Sequence, residues 1–66
     1  MTVTVNGETR GFPDVVSVDG LVTALGWERR GLAIAVNGEV VPRSLWGDHT
    51  VLDGDQIEIL TIAQGG

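Results

Sequence analysis

The stretch Val18-Asp19-Gly20-Leu21-Val22-Thr23-Ala24-Leu25 decides the fold. Val18, Leu21, Val22 and Leu25 fall at i, i+3, i+4 and i+7, the stripe of one helical face, whereas the sequence on both sides runs with period two. Ser17 is placed to act as N-cap, Asp19 sits in the first turn where the helix dipole favours an anion, and Gly26 can adopt the left-handed conformation that closes a helix. Gly20 and Thr23 lower the intrinsic helix preference. A segment this short is marginal alone in water, so its stability must come from packing the apolar stripe on a sheet. The spacing predicts one helix, the only one in the chain.

Upstream, residues 2–5 read Thr-Val-Thr-Val, alternating polar and β-branched apolar side chains. Asn6-Gly7 follows, a pair suited to the positive φ angles of a type I′ turn. Residues 8–12 form the return strand, stopped at Phe12-Pro13-Asp14 because Pro13 has no N–H for a ladder. Downstream, Leu32, Ile34 and Val36 alternate with Ala33 and Ala35, and a second Asn-Gly pair at 37–38 leads into Glu39-Val40-Val41, ended by Pro42. Ser44 to Asp48 show no period. His49-Thr50-Val51-Leu52 reads as a short edge segment before the turn Asp53-Gly54-Asp55, and Ile57, Ile59 and Thr61 alternate with Glu58, Leu60 and Ile62 in a last strand. The order β-β-α-β-(short β)-β implies an α+β fold: a small mixed sheet with one helix packed on one face and the first strand beside the last. That is the β-grasp, or ubiquitin-like, roll.

The chain's 66 residues suit one domain, residues 1–66, with a flexible Gly-Gly tail at 63–66. Below roughly 70–80 residues a core seldom yields more than about 3–5 kcal/mol, which leaves little for an internal cleft. With no cysteine and a single histidine, His49, neither a disulfide framework nor a thiolate or histidine metal site can form in cis, and no metal is expected. Four arginines and no lysine against nine acidic residues give a net charge of −5. Phosphate neutralisation needs clustered cations, so nucleic acid is not an expected partner, and an acidic surface received by a basic protein groove is. Met-Thr-Val-Thr-Val has no basic region leading into an apolar one, and no apolar run approaches the ~18 residues of a membrane span. A cytoplasmic protein without membrane contact is expected.

The C-terminal stretch Ala63-Gln64-Gly65-Gly66 follows directly on a strand, and the final two residues have no Cβ, so the tail is thin and conformationally free. In the last strand Ile57 and Ile59 share the core parity while Leu60 and Ile62 point the other way beside Glu58, a candidate patch for partner docking. The remaining polar and aromatic residues have plainer readings. His49 lacks the partners a ligand or general base requires. Trp27 and Trp46 read as packing residues, Arg29-Arg30 as a solvated loop, and Asp53-Gly54-Asp55 as a turn without the further oxygens of a calcium loop. Arg43 fits an ion pair with an acidic neighbour or a contact to a partner. No catalytic constellation is present in cis.

The run Leu32-Ala33-Ile34-Ala35-Val36-Asn37, then Val41-Pro42-Arg43, Trp46 and His49, then Asp53-Gly54-Asp55-Gln56-Ile57, and finally Gly65-Gly66 resembles the ThiS family, the small sulfur carriers of thiamin thiazole biosynthesis. The likeness spans the whole length, resting on strand and turn pattern alone over residues 6–16, and Gly20 departs from it. It implies a protein co-substrate rather than an enzyme. Gly66 would be the working group: its carboxylate adenylated by a ubiquitin-activating-like adenylyltransferase using ATP and Mg, converted to a thiocarboxylate, and its sulfur passed to thiazole synthase. Gly65, Gln64 and Ala63 would enter the partners' active sites. The sulfur would come from cysteine through a cysteine desulfurase, and this chain would bind no cofactor of its own.

Three other readings share parts of this pattern. The small subunit of molybdopterin synthase has the same fold and diglycine end but delivers sulfur to a different heterocycle. A ubiquitin-like protein modifier would join the activated glycine to a lysine amine, and the absence of lysine here excludes only self-linked chains. An interaction module would need no terminal chemistry.

Overall fold

The computed structural model describes residues 1–62. Seven strands and one α-helix follow one another as β1 (Thr2–Val5), β2 (Glu8–Gly11), β3 (Val16–Ser17), α1 (Val18–Ala24), β4 (Leu32–Val36), β5 (Glu39–Val40), β6 (Thr50–Val51) and β7 (Gln56–Thr61), with a 3-10 turn at Arg43–Leu45 between β5 and β6. The main sheet has the order β2-β1-β7-β4-β5. Within it β1 and β7 are parallel, with Val5 opposite Ile57, and the other pairs are antiparallel. This is the mixed sheet that the element order predicts.

Both hairpins turn where the Asn-Gly pairs stand. Asn6 and Gly7 take φ of 51° and 82°, Asn37 and Gly38 take 52° and 85°, the left-handed pairs of a type I′ turn. The β1–β2 ladder runs one residue beyond β2, because Met1 and Phe12 exchange both backbone hydrogen bonds, at 2.7 and 2.9 Å.

The helix begins as expected. Ser17 Oγ accepts from Gly20 N at 3.0 Å, and the carbonyls of His49 and Trp46 accept from Val18 N and Asp19 N at 2.9 and 3.0 Å, so the first unpaired N–H groups of α1 are satisfied. Its end is also as expected, with Gly26 at φ 78°. Val18, Leu21 and Val22 are buried, and Leu25 is only half-buried. The stripe packs on Val3, Val5, Leu32, Ile34, Val36, Ile57 and Ile59 from one face of the sheet, closed at one side by Val41, Trp46 and Val51.

Two local expectations are corrected. The α-helix is not the only helical segment, since Arg43–Leu45 makes a 3-10 turn that lowers Trp46 into the core, where its Nε1 donates to the Val41 carbonyl at 2.9 Å. The segment around Thr50 and Val51 does not lie at the edge of the main sheet: it pairs with β3 in a separate two-stranded sheet, Val16 opposite Val51. Thr61, the last residue of β7, is exposed.

Candidate functional site

The site grows out of β7, the strand that leads into the C-terminal tail. Residues 63–66, including the expected working group Gly66 and the insertion residues Gly65, Gln64 and Ala63, lie outside the described residues. What the structure places is the root from which they depart.

β7 is held along both edges, and the two turn asparagines do much of the holding. Glu58 and Leu60 stand opposite Ala35 and Ala33 of β4, and Ile62 N donates to the Gly31 carbonyl at 2.6 Å beyond them. The backbone groups of Ile57, Ile59 and Thr61 therefore face the β1 side. There Ile57 O accepts from Asn6 N at 2.9 Å. The Asn6 side chain then reaches Ile59 with both atoms: Oδ1 accepts from Ile59 N at 2.8 Å and Nδ2 donates to Ile59 O at 3.1 Å. One side-chain amide thus stands in for a further strand residue. Asn37 holds the other end of β7 by one backbone group, accepting from Gln56 N at 2.9 Å, while its Nδ2 donates to the side chain of Asp55 at Oδ1, 3.0 Å away.

The face of the sheet away from α1 carries the docking residues read from the sequence. Leu60 is 61% exposed and Ile62 50%, and Val40 on β5 is 72% exposed; half-buried Ala33 and Ala35 lie on the same face, opposite Leu60 and Glu58. Glu58 is exposed beside them. The small alanines leave the three large aliphatics standing proud, an apolar patch with a carboxylate at its margin. Val40 belongs to this patch by its register opposite Ala35, which the alternation of β5 alone is too short to reveal.

The other candidates take structural places. Trp46 is buried. Arg43 lies over its ring, 5.2 Å from the centroid, and donates through Nη2 to the Arg29 carbonyl, so it pins the loop after the helix rather than pairing with an acid. Arg29 Nε is 3.0 Å from Asp19 Oδ1, which makes no directed hydrogen bond; the contact is one of charge. Trp27 is 38% exposed and, with Leu25, Asn6 and Arg10, borders a recess of about 350 Å³ on the helix side of the β1–β2 hairpin. His49 is half-buried and serves through its backbone. Asp53 Oδ1 accepts from Thr2 N at 2.7 Å and Asp55 Oδ2 from Leu52 N at 2.8 Å, as befits a turn. Among the described residues no three His, Cys, Asp or Glu side chains come together as a metal site, and no helix is long and apolar enough to cross a membrane.

Comparison with known proteins now bears on this site. The model of the ThiS family matches residues 3–66. The chain belongs to the ThiS family. The sulfur carrier protein ThiS of Escherichia coli (strain K12), also in that family by name, is 40% identical over 50 residues, 76% of each chain. A crystal structure of a thiamine biosynthesis protein (ThiS) from Geobacter metallireducens superposes with a TM-score of 0.88 at 33% identity over all of both chains, so the β-grasp is the ThiS fold. A protein named thiazole synthase from Paramagnetospirillum magneticum (strain ATCC 700264 / AMB-1) is 38% identical over 66 residues, all of this ThiS-family chain and 20% of that protein. The chain spans only a fifth of that relative's length.

Proposed function

We propose that this chain is a sulfur carrier of thiamin biosynthesis whose Gly66 carboxylate is adenylated, converted to a thiocarboxylate and used as the sulfur donor for thiazole formation. The observation that carries the reading is the family match running through to residue 66, so that the diglycine lies within it. The relative named thiazole synthase, in which a segment like this whole chain forms part of one polypeptide, favours thiazole synthase over a molybdopterin-type acceptor or a lysine target.

The chemistry explains why such a carrier needs outside enzymes. An α-carboxyl group with a pKa of about 3.3–3.7 is an anion at neutral pH and a poor electrophile. Transfer of AMP from ATP, by a ubiquitin-activating-like adenylyltransferase using Mg, turns the carboxylate oxygen into part of a phosphate leaving group. A sulfide-level nucleophile, or a persulfide whose S–S bond a thiol then cleaves, forms the C–S bond as AMP departs, leaving sulfur as a thiocarboxylate. No side chain of the carrier acts as acid, base or nucleophile. Gly65, Gln64 and Ala63 extend the acyl group into the partner's pocket, where the two glycines pass a constriction that a Cβ would obstruct. The patch of Leu60, Ile62 and Val40, with Glu58 beside it, docks on the partner.

Deletion of Gly66 tests the reading. With the adenylyltransferase, a sulfur source and thiazole synthase, the full chain should gain the mass of one oxygen-to-sulfur exchange and support thiazole formation, and the deleted chain should do neither. Thiazole formation at the full rate by the deleted chain would refute it.

A further inference from the structure

The β1-facing edge of β7 is occupied in order by Asn6 N at Ile57 and by the Asn6 side-chain amide at Ile59. The next backbone groups on that edge are the N–H and carbonyl of Thr61. They face away from β4, β1 has already turned at Asn6-Gly7, and among the described residues nothing hydrogen-bonds the Thr61 N–H. An exposed strand edge with its donors and acceptors unpaired is a template for an added strand. Its other flank is fixed by Leu32 opposite Thr61 and by Ile62 N on Gly31, so the template is rigid.

We infer that this edge, beginning at Thr61, is a strand-addition site for an extended backbone segment of thiazole synthase. The inference rests on the proposed role of Gly66. Gly66 is the fourth residue after Ile62, and four residues reach at most about 14 Å. An enzyme acting on the Gly66 acyl group must therefore come within that distance of the tail's root, close enough for one of its backbone segments to reach Thr61. The added segment continues the line of β1 past Asn6. Asn6 is a positioning residue in this arrangement: it ends the internal ladder at Ile59 and leaves the next position to the partner.

Thr61→Pro removes an N–H that no described residue accepts, and proline is tolerated where an edge N–H faces outward. A synthetic chain in which the Thr61 amide is replaced by an ester removes the same donor without the ring. Both should melt within a few degrees of the parent and bind thiazole synthase from the same organism about three- to tenfold more weakly, as the loss of one net hydrogen bond requires. An ester chain that melts like the parent and binds thiazole synthase with unchanged affinity would overturn the inference, whatever Thr61→Pro does. Gly66 deletion, read by thiazole formation, reports separately on the underlying function: loss there with unchanged binding of the ester chain removes the strand-addition site and leaves the carrier role standing.

Discussion

Replacing Asn6 should cost this domain a large share of its stability, by an amount that separates the residue's two duties. Its side chain makes two partly buried hydrogen bonds to Ile59, and its backbone sits at φ 51°. Asn6→Gly keeps the left-handed backbone accessible and removes both side-chain bonds. At about 0.5–1.5 kcal/mol net for each, the loss is about 1–3 kcal/mol. Asn6→Ala removes the same bonds and adds about 1 kcal/mol for holding a Cβ-bearing residue in the left-handed region. Against about 3–5 kcal/mol available to a domain of this size, the glycine variant should remain mostly folded and the alanine variant should be largely unfolded at 37 °C. Urea titration followed by the fluorescence of buried Trp46 measures both. With a slope of about 1–1.5 kcal/mol per molar for so small a chain, the glycine variant's midpoint should fall by about 1–2 M. A midpoint within about 0.3 M of the parent would refute the claim that the Asn6 amide holds the middle of β7.

Three further outcomes follow from the structure. Gly20→Ala should stabilise by about 0.5–1 kcal/mol, seen as a higher urea midpoint, because a Cβ there meets Ser17 Oγ and Val16 Cβ at 3.4 and 3.6 Å, ordinary contact distances, and alanine favours the helix. Trp46→Phe should lower the melting temperature by at least about 10 °C, since it opens space in the core and leaves the Val41 carbonyl without its donor, together about 2–4 kcal/mol. Leu60→Asp should leave the melting curve within a few degrees of the parent, as the residue is 61% exposed, and slow thiocarboxylate formation by at least about tenfold; an unchanged rate would remove Leu60 from the docking surface.

The elements legible in the sequence were those with enough residues to show a period. The four alternating residues of β1, the five of β4 and the i, i+3, i+4, i+7 stripe of α1 each repeat their signal, and Asn-Gly marks both turns. The β3–β6 sheet was not legible because two-residue strands have no period, and their pairing joins Val16 to Val51 across 35 positions of sequence. The 3-10 turn at Arg43–Leu45 is likewise shorter than any repeat. On the site side, the outward parity of Glu58, Leu60 and Ile62 was readable from β7 itself, whereas the grip of Asn6 and Asn37 on that strand was not. Each asparagine looked fully explained by the positive φ its turn demands. Two asparagines at the same position of two hairpins, where glycine or aspartate would also turn the chain, were the available sign of a second task for the side chain.

The central place of β7 has a mechanical consequence. A partner that draws the carrier's end into its active site pulls along the strand's own axis, and β1 and β4 flank that strand on either side. The load falls on the lateral bonds together, in shear, where a strand at the margin would be peeled away bond by bond. A small body with little stability to spare can therefore bear a pull along its last strand without coming apart.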